Sequence, residues 1–227
     1  SNEVMGIREN LRMVEEQKNA AAKKAGRRPE EIQLVAVTKT RTPEEINEAI
    51  EAGATDIGEN KVQEIMDKYP QVKPVRWHMI GHLQTNKVKY IIDKVDLIHS
   101  VDSLRLAEEI DRRAAQHGKV MDILIQVNAA GEESKFGIGA AEAEQLLSQI
   151  LDACPNIRIK GLMSIAPFAE DPEDVRVYFH QVKELYDKYR GLKKERMDFE
   201  YLSMGMSHDF PVAVSEGANL IRVGTAI

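Results

Sequence analysis

The sequence predicts an α/β fold, a (β/α)8 barrel of the TIM type led by one extra helix, and two observations predict it. Eight short apolar runs, several rich in β-branched residues, alternate with stretches whose apolar residues recur at helical spacing. Polar and small residues gather where those runs end, which in a barrel of parallel strands is one common face. An open doubly wound sheet shows the same alternation and stays the other candidate. The runs recur every 20 to 40 residues or so, roughly and without a shared motif, which argues against a solenoid.

The helix comes first. Val4, Ile7, Leu11, Val14 and Ala21 recur in helical phase, and Gly26 stands where a terminating glycine would. The first strand is Leu34 to Lys39, and Thr42-Pro43-Glu44-Glu45 after it reads as a capping box with proline at the first helical position. Ile46, Ala49 and Ile50 form that helix's apolar face, and Gly53 ends it.

The same unit then repeats. Strand Asp56 to Asn60 precedes a helix carrying Val62, Ile65, Met66 and Tyr69, and strand Arg76 to Gly81 precedes one with Val88, Ile91, Ile92 and Val95. Leu97 to Val101 is answered by a helix from Ser103, and Asp122 to Asn128 by one with Leu146, Leu147, Ile150 and Leu151 in phase. Arg158 to Ile165 leads to a long helix after Asp171-Pro172, and Tyr201 to Gly205 to a short one at Phe210 to Glu216. Leu220 to Gly224 is the eighth strand. No linker or low-complexity tract interrupts the series, so one domain over residues 1–227 is expected.

Composition narrows the function classes. With a net charge of −6, a pI near 5.6 and no basic stripe, the chain is not built for nucleic acid or an anionic membrane. No apolar run is long enough to cross a bilayer. The single cysteine, Cys154, allows no intramolecular disulfide, and a cytoplasmic location is expected. Cys154 itself reads as a packed small hydrophobe. Ser1-Asn2, with no initiating Met, resembles the scar of tag removal.

The strand ends carry the chemistry. Lys39 closes the first apolar run, and it reads either as a lysine that snorkels or pairs with a carboxylate, or as a partly buried Schiff-base lysine. Ser203, Gly205, Ser207, Gly224 and Thr225 place hydroxyls and close-approach glycines after strands seven and eight, where barrels of this type build phosphate sites. Arg222, inside the eighth strand, needs an acceptor: a core carboxylate, or a ligand's ring nitrogen or phosphate. A Schiff-base lysine opposite an anion site suits pyridoxal 5′-phosphate (PLP), whose aldehyde and phosphate lie at opposite ends of one ring.

Seven separated motifs carry a resemblance. They are Val37-Thr38-Lys39, Gly58 to Glu64, Trp77 to Lys87, Ser134-Lys135-Phe136-Gly137, Gly161-Leu162-Met163, Ser203 to Ser207 and Arg222 to Ala226. Together they closely resemble the YggS/PROSC family of pyridoxal phosphate homeostasis proteins, over about Val4 to Ile227. The resemblance implies a barrel similar to the N-terminal domain of bacterial alanine racemases. It implies PLP held as a Schiff base on Lys39, with Asn60 beside the ring, and Arg222 facing the pyridine nitrogen. Ser203, Met204, Ser207, Gly224 and Thr225 would surround the phosphate. The family continues into a short final helix, so the chain is expected to be slightly truncated.

An arginine donates to the ring nitrogen but hardly gives up a proton, so the cofactor would be held yet weakly activated. The resemblance therefore implies storage, buffering and delivery of PLP without a committed reaction. A monomer in transient contact with PLP-dependent apo-enzymes is expected. A PLP-dependent racemase is the alternative, with His82 and Tyr201 as candidates for a second acid-base group opposite Lys39. A Schiff-base sugar-phosphate aldolase is a further one. No metal site is expected, since His78 and His82 flank a strand-to-loop corner with no completing ligands.

Overall fold

In the computed structural model, which describes residues 6–132, 136–224 and 227, eight parallel strands close into a barrel. They are β1 (Gln33–Val37), β2 (Asp56–Glu59), β3 (Arg76–Met79), β4 (Leu97–Val101), β5 (Met121–Asn128), β7 (Ile157–Ser164), β8 (Met197–Met204) and β9 (Leu220–Val223). The ring runs in sequence order, with β1 beside β9, and pairing of β4 with β5 leaves no open edge. That pairing decides for the barrel over the open sheet. A further two-residue strand, β6 (Ile138–Gly139), lies against β5 outside the ring and has no counterpart in the predicted pattern.

The strands form because their residues can be buried on both faces, as strands between a packed lumen and an outer helical layer must be. In β1, Leu34 and Ala36 belong to the large apolar layer between barrel and helices, whereas Val35, on the other face, does not. A second small cluster of Leu97, Leu124 and Met163, with Tyr201 against it, is separate from that layer. The lumen is thus a packed interior rather than a pore.

The helices are α1 (Ile7–Lys24), α2 (Pro43–Glu51), α3 (Val62–Lys68), α4 (Val88–Ile91), α5 (Leu104–Gln116), α6 (Ala143–Ala153), α7 (Arg176–Arg190) and α8 (Phe210–Ser215). The capping box forms: Glu45 N–H donates to Thr42 Oγ1 at 3.1 Å and Thr42 N–H to Glu45 Oε1 at 2.9 Å. Leu11, Val14 and Ala22 bury the inner face of α1 against α2 and α8. Lys18 on that face is satisfied by donating to the Ile32 carbonyl at 2.9 Å.

Several boundaries moved, two of them by more than a residue or two. The third crossover helix is short, a single turn preceded by a 3₁₀ segment, Thr85–Lys87. The seventh strand of the ring, β8, begins at Met197, four residues before the expected Tyr201, because the charged residues Asp198 and Glu200 hide an alternating pattern whose Phe199 is buried.

Candidate functional site

The turn after β1 is fixed on both sides of Lys39. Thr38 N–H donates to the Gly58 carbonyl at 3.0 Å, and Thr38 Oγ1 to Glu59 Oε2 at 2.6 Å. Lys68, from the end of α3, donates to the Thr38 carbonyl at 2.8 Å and to Glu59 and Glu64 at 2.7 Å each. Glu64 in turn accepts from Thr40 N–H at 3.0 Å, holding a residue whose φ of 62° no threonine adopts freely. Burial pushes the Glu59 carboxyl up to about 7, against the opposing hydrogen bonds from Lys68 and Thr38. Glu59 Oε1 has no partner among the described residues.

Lys39 itself is exposed. Partial burial of its amine, one of the two readings of the sequence, is not seen: Val37 is the last strand residue, and Lys39 lies two residues beyond it in the turn. The buried amine of this corner is Lys68, which sequence reading missed. Its signal was present, since Lys68 lies three residues after Ile65 on the buried face of α3 and four after Glu64.

Arg222 is 2% exposed, yet no carboxylate lies within salt-bridge reach of it among the described residues. Its Nη1 donates to Ser203 Oγ and its Nη2 to the Ser164 carbonyl at 3.0 Å. Burial pulls the guanidinium down to about 10, and the charge of Asp209 works against that. A buried charge satisfied only by neutral oxygens is costly unless a further acceptor comes to it.

Ser203 therefore lies beneath the mouth. Its hydroxyl, expected at the phosphate, is occupied by Arg222 and by His99 Nδ1 at 3.0 Å. The Met204 side chain is packed in the outer apolar layer, which leaves its main chain for any anion. The loop above is built as expected: Gly205 has a φ of 100°, Gly224 N–H donates to Ser207 Oγ at 3.3 Å, and Met206 N–H to Asp209 Oδ1 at 2.8 Å. A Cβ on Gly224 would come within 2.9 Å of Val37 Cβ and 3.1 Å of the Val37 carbonyl, so only glycine lets this loop close on the strand that leads to Lys39. Thr225 lies outside the described residues, as do Ser134 and Lys135 of the motif before Phe136.

A family model for the alanine racemase N-terminal domain matches residues 10–227. A pyridoxal phosphate homeostasis protein of Aquifex aeolicus is 44% identical, covering 98% of this chain and 97% of that one. The chain belongs to the pyridoxal phosphate homeostasis protein family. One of the same name from Escherichia coli is 38% identical, over 97% of this chain and 95% of its own. The PipY protein of Synechococcus elongatus, solved with PLP bound, is 34% identical, superposes with a TM-score of 0.84 and covers 97% of this chain and 98% of its own.

Within this family member the remaining candidates fall on different sides of the barrel. Asn60 stands at the mouth, just after β2, and also lines a cavity of about 500 Å³ toward α3 and α4 with Lys61, His82, Gln84, Lys87 and Tyr90. Neither Lys39 nor Arg222 lines that cavity, so it sits beside the lysine-arginine axis. His82 is exposed and stacks on Phe136 with ring centroids 3.8 Å apart. Tyr201 does not face Lys39: its hydroxyl accepts from Arg76 Nη2 at 3.1 Å, and Arg76 opens β3 at the opposite end of the barrel. No group of three or more His, Cys, Asp or Glu suited to a metal occurs among the described residues.

Proposed function

We propose that this chain holds PLP as a Schiff base on Lys39 and stores, buffers and delivers it, without a committed reaction of its own. The observation that carries the reading is Arg222, a buried guanidinium with no carboxylate among the described residues, and with neutral oxygens as its partners. When bound, PLP supplies an aldehyde for a lysine amine and a ring that can take up electron density.

The chain's own residues do the rest. The exposed Lys39 offers its amine at the mouth while Lys68, Glu59 and Glu64 hold the turn that carries it. Arg222 keeps a spare N–H on each terminal nitrogen and directs a cation at whatever acceptor enters above it. The Ser207 hydroxyl, which accepts from Gly224 N–H and keeps its own hydrogen to donate, would receive the phosphate with the main chain of Met204 and Gly224, while Asn60 would flank the ring. Two features support a carrier over a racemase. Arg222 donates without surrendering a proton, and Tyr201, one candidate for the second base, is tied to Arg76 away from the mouth.

The same reading makes the chain one cytoplasmic barrel domain that works as a monomer and meets PLP-dependent apo-enzymes transiently. No helix of the described residues is long and apolar enough to cross a membrane. The experiment is a visible spectrum with added PLP, then borohydride reduction and peptide mapping, beside Lys39→Ala. A yellow band and a reduced adduct on Lys39, both lost in the variant and with no turnover of amino acids, are expected. A colourless protein without an adduct returns the sugar-phosphate aldolase, and turnover of D- or L-amino acids returns the racemase.

A further inference from the structure

Beneath Arg222 a chain of buried polar groups runs the length of the barrel interior. Ser203 Oγ meets His99 Nδ1 at 3.0 Å, His99 Nε2 meets His78 Nδ1 at 2.8 Å, and His78 Nε2 meets Asp56 Oδ2 at 2.7 Å. Four strands contribute, β8, β4, β3 and β2, and each of the four side chains is at most 2% exposed. At its far end Asp56 also accepts from Gln33 Nε2 at 2.8 Å and Thr55 Oγ1 at 2.7 Å, with Arg76 Nε 3.3 Å away. None of these groups touches the mouth, and the proposed PLP chemistry uses none of them below Ser203.

The direction of this chain can be worked out from its ends. Burial acts to raise the Asp56 carboxyl, but hydrogen bonds from His78 and Thr55, with the charge of Arg76, outweigh it and hold the group below the usual range. Asp56 is thus an acceptor, and His78 Nε2 must carry a proton. Burial first, with the charge of Arg222, drives the His99 imidazole well below its ordinary range, so His99 has one proton only. With the His78 proton on Nε2, facing Asp56, His78 Nδ1 is an acceptor, His99 Nε2 donates to it, and His99 Nδ1 accepts from Ser203 O–H, whose oxygen already accepts from Arg222 Nη1. Every donor then points from the mouth to Asp56.

We infer that Asp56, His78 and His99 form a one-way hydrogen-bond relay that positions Arg222 through Ser203 and thereby sets how Arg222 addresses a ligand's ring nitrogen. Ser203 gives its hydrogen away downward, so its oxygen faces Arg222 as a committed acceptor of enhanced basicity. The guanidinium plane is then fixed by two oxygens, Ser203 Oγ and the Ser164 carbonyl, and its remaining N–H groups have one orientation. Asp56, His78 and His99 are positioning residues. The effect on bound ligand rests on the PLP reading above; the relay itself does not.

Two measurements test it. In the cofactor-free protein, nitrogen-15 NMR of the histidine rings reads which nitrogen holds the proton: Nε2 on both His78 and His99 is expected, and a proton on His99 Nδ1 overturns the relay. In the PLP-loaded protein, Asp56→Asn acts from the opposite end of the barrel, and His99→Gln interrupts the middle. Both variants are expected to keep the borohydride adduct on Lys39 while the pH midpoint of the visible band moves by about half a unit or more. An unmoved midpoint in folded Asp56→Asn overturns the positioning role even if the ring tautomers are as expected. Absence of a Lys39 adduct in the wild-type protein overturns the cofactor reading and with it the effect on ligand, whereas the ring tautomers are read without cofactor.

Discussion

The Lys68 amine donates to the Thr38 carbonyl at 2.8 Å, so the residue before Lys39 is tied to the last turn of α3 as well as to the neighbouring strand. The same amine bridges Glu59 and Glu64 at 2.7 Å, and its side chain is 9% exposed. Removing it as Lys68→Met leaves Glu59 buried without its cation. The expected loss is about 3–5 kcal/mol in chemical denaturation, with slower formation of the Lys39 adduct as the turn loosens.

Glu59 gives the fold a pH slope of unusual sign. Its folded-state carboxyl titrates at about 7 against 4.5 for the free group. Between those values the folded chain keeps a proton that the unfolded chain has lost, so this group makes folding less favourable as pH rises through the window. Glu59→Gln is expected to remove that fall. Thermal melts of both proteins from pH 4.5 to 7 check it, and parallel curves would contradict it.

Gly224→Ala tests the closeness of the loop after β9 to β1. The added methyl would sit 2.9 Å from Val37 Cβ and 3.1 Å from the Val37 carbonyl, and backbone cannot yield as a side-chain tip can. PLP affinity is expected to fall about tenfold, or ~1.4 kcal/mol, by equilibrium dialysis, while the Lys39 adduct still forms at high PLP.

Cys154 is fully buried, and burial first, then the charges of Asp111 and Glu108, push its thiol up to about 12. Reaction with a thiol reagent in the native protein is expected only on unfolding, with the rate rising along the denaturation curve. Prompt labelling of the native protein would contradict the packing role.

Much of this was legible in the chain. The eight runs from Leu34 to Gly224 alternate with helical stripes because burial demands it locally, and each strand of the ring appears where its β-branched and apolar residues stand. Thr42-Pro43-Glu44-Glu45 determined its own cap, since all its partners lie within one helical turn. That Lys39 and Gly224 would lie at one end of the barrel was legible too, because the C-terminal ends of parallel strands share one face.

Tertiary structure alone decided the rest. Whether the eight strands close was settled by β4 pairing with β5, a contact that periodicity does not encode. His78 and His99 carried no role by sequence spacing, because 21 residues separate them and only the pairing and register of β3 with β4 bring a nitrogen of each ring to 2.8 Å. Ser203 lies 104 residues from His99, and neither neighbour in sequence reveals that its hydroxyl points down to that ring rather than up to the mouth. Local propensity and burial pattern fix elements, since their energies are spent within a turn or a pleat. The direction of a buried hydrogen bond depends on partners from four strands at once, and a linear sequence does not place those partners.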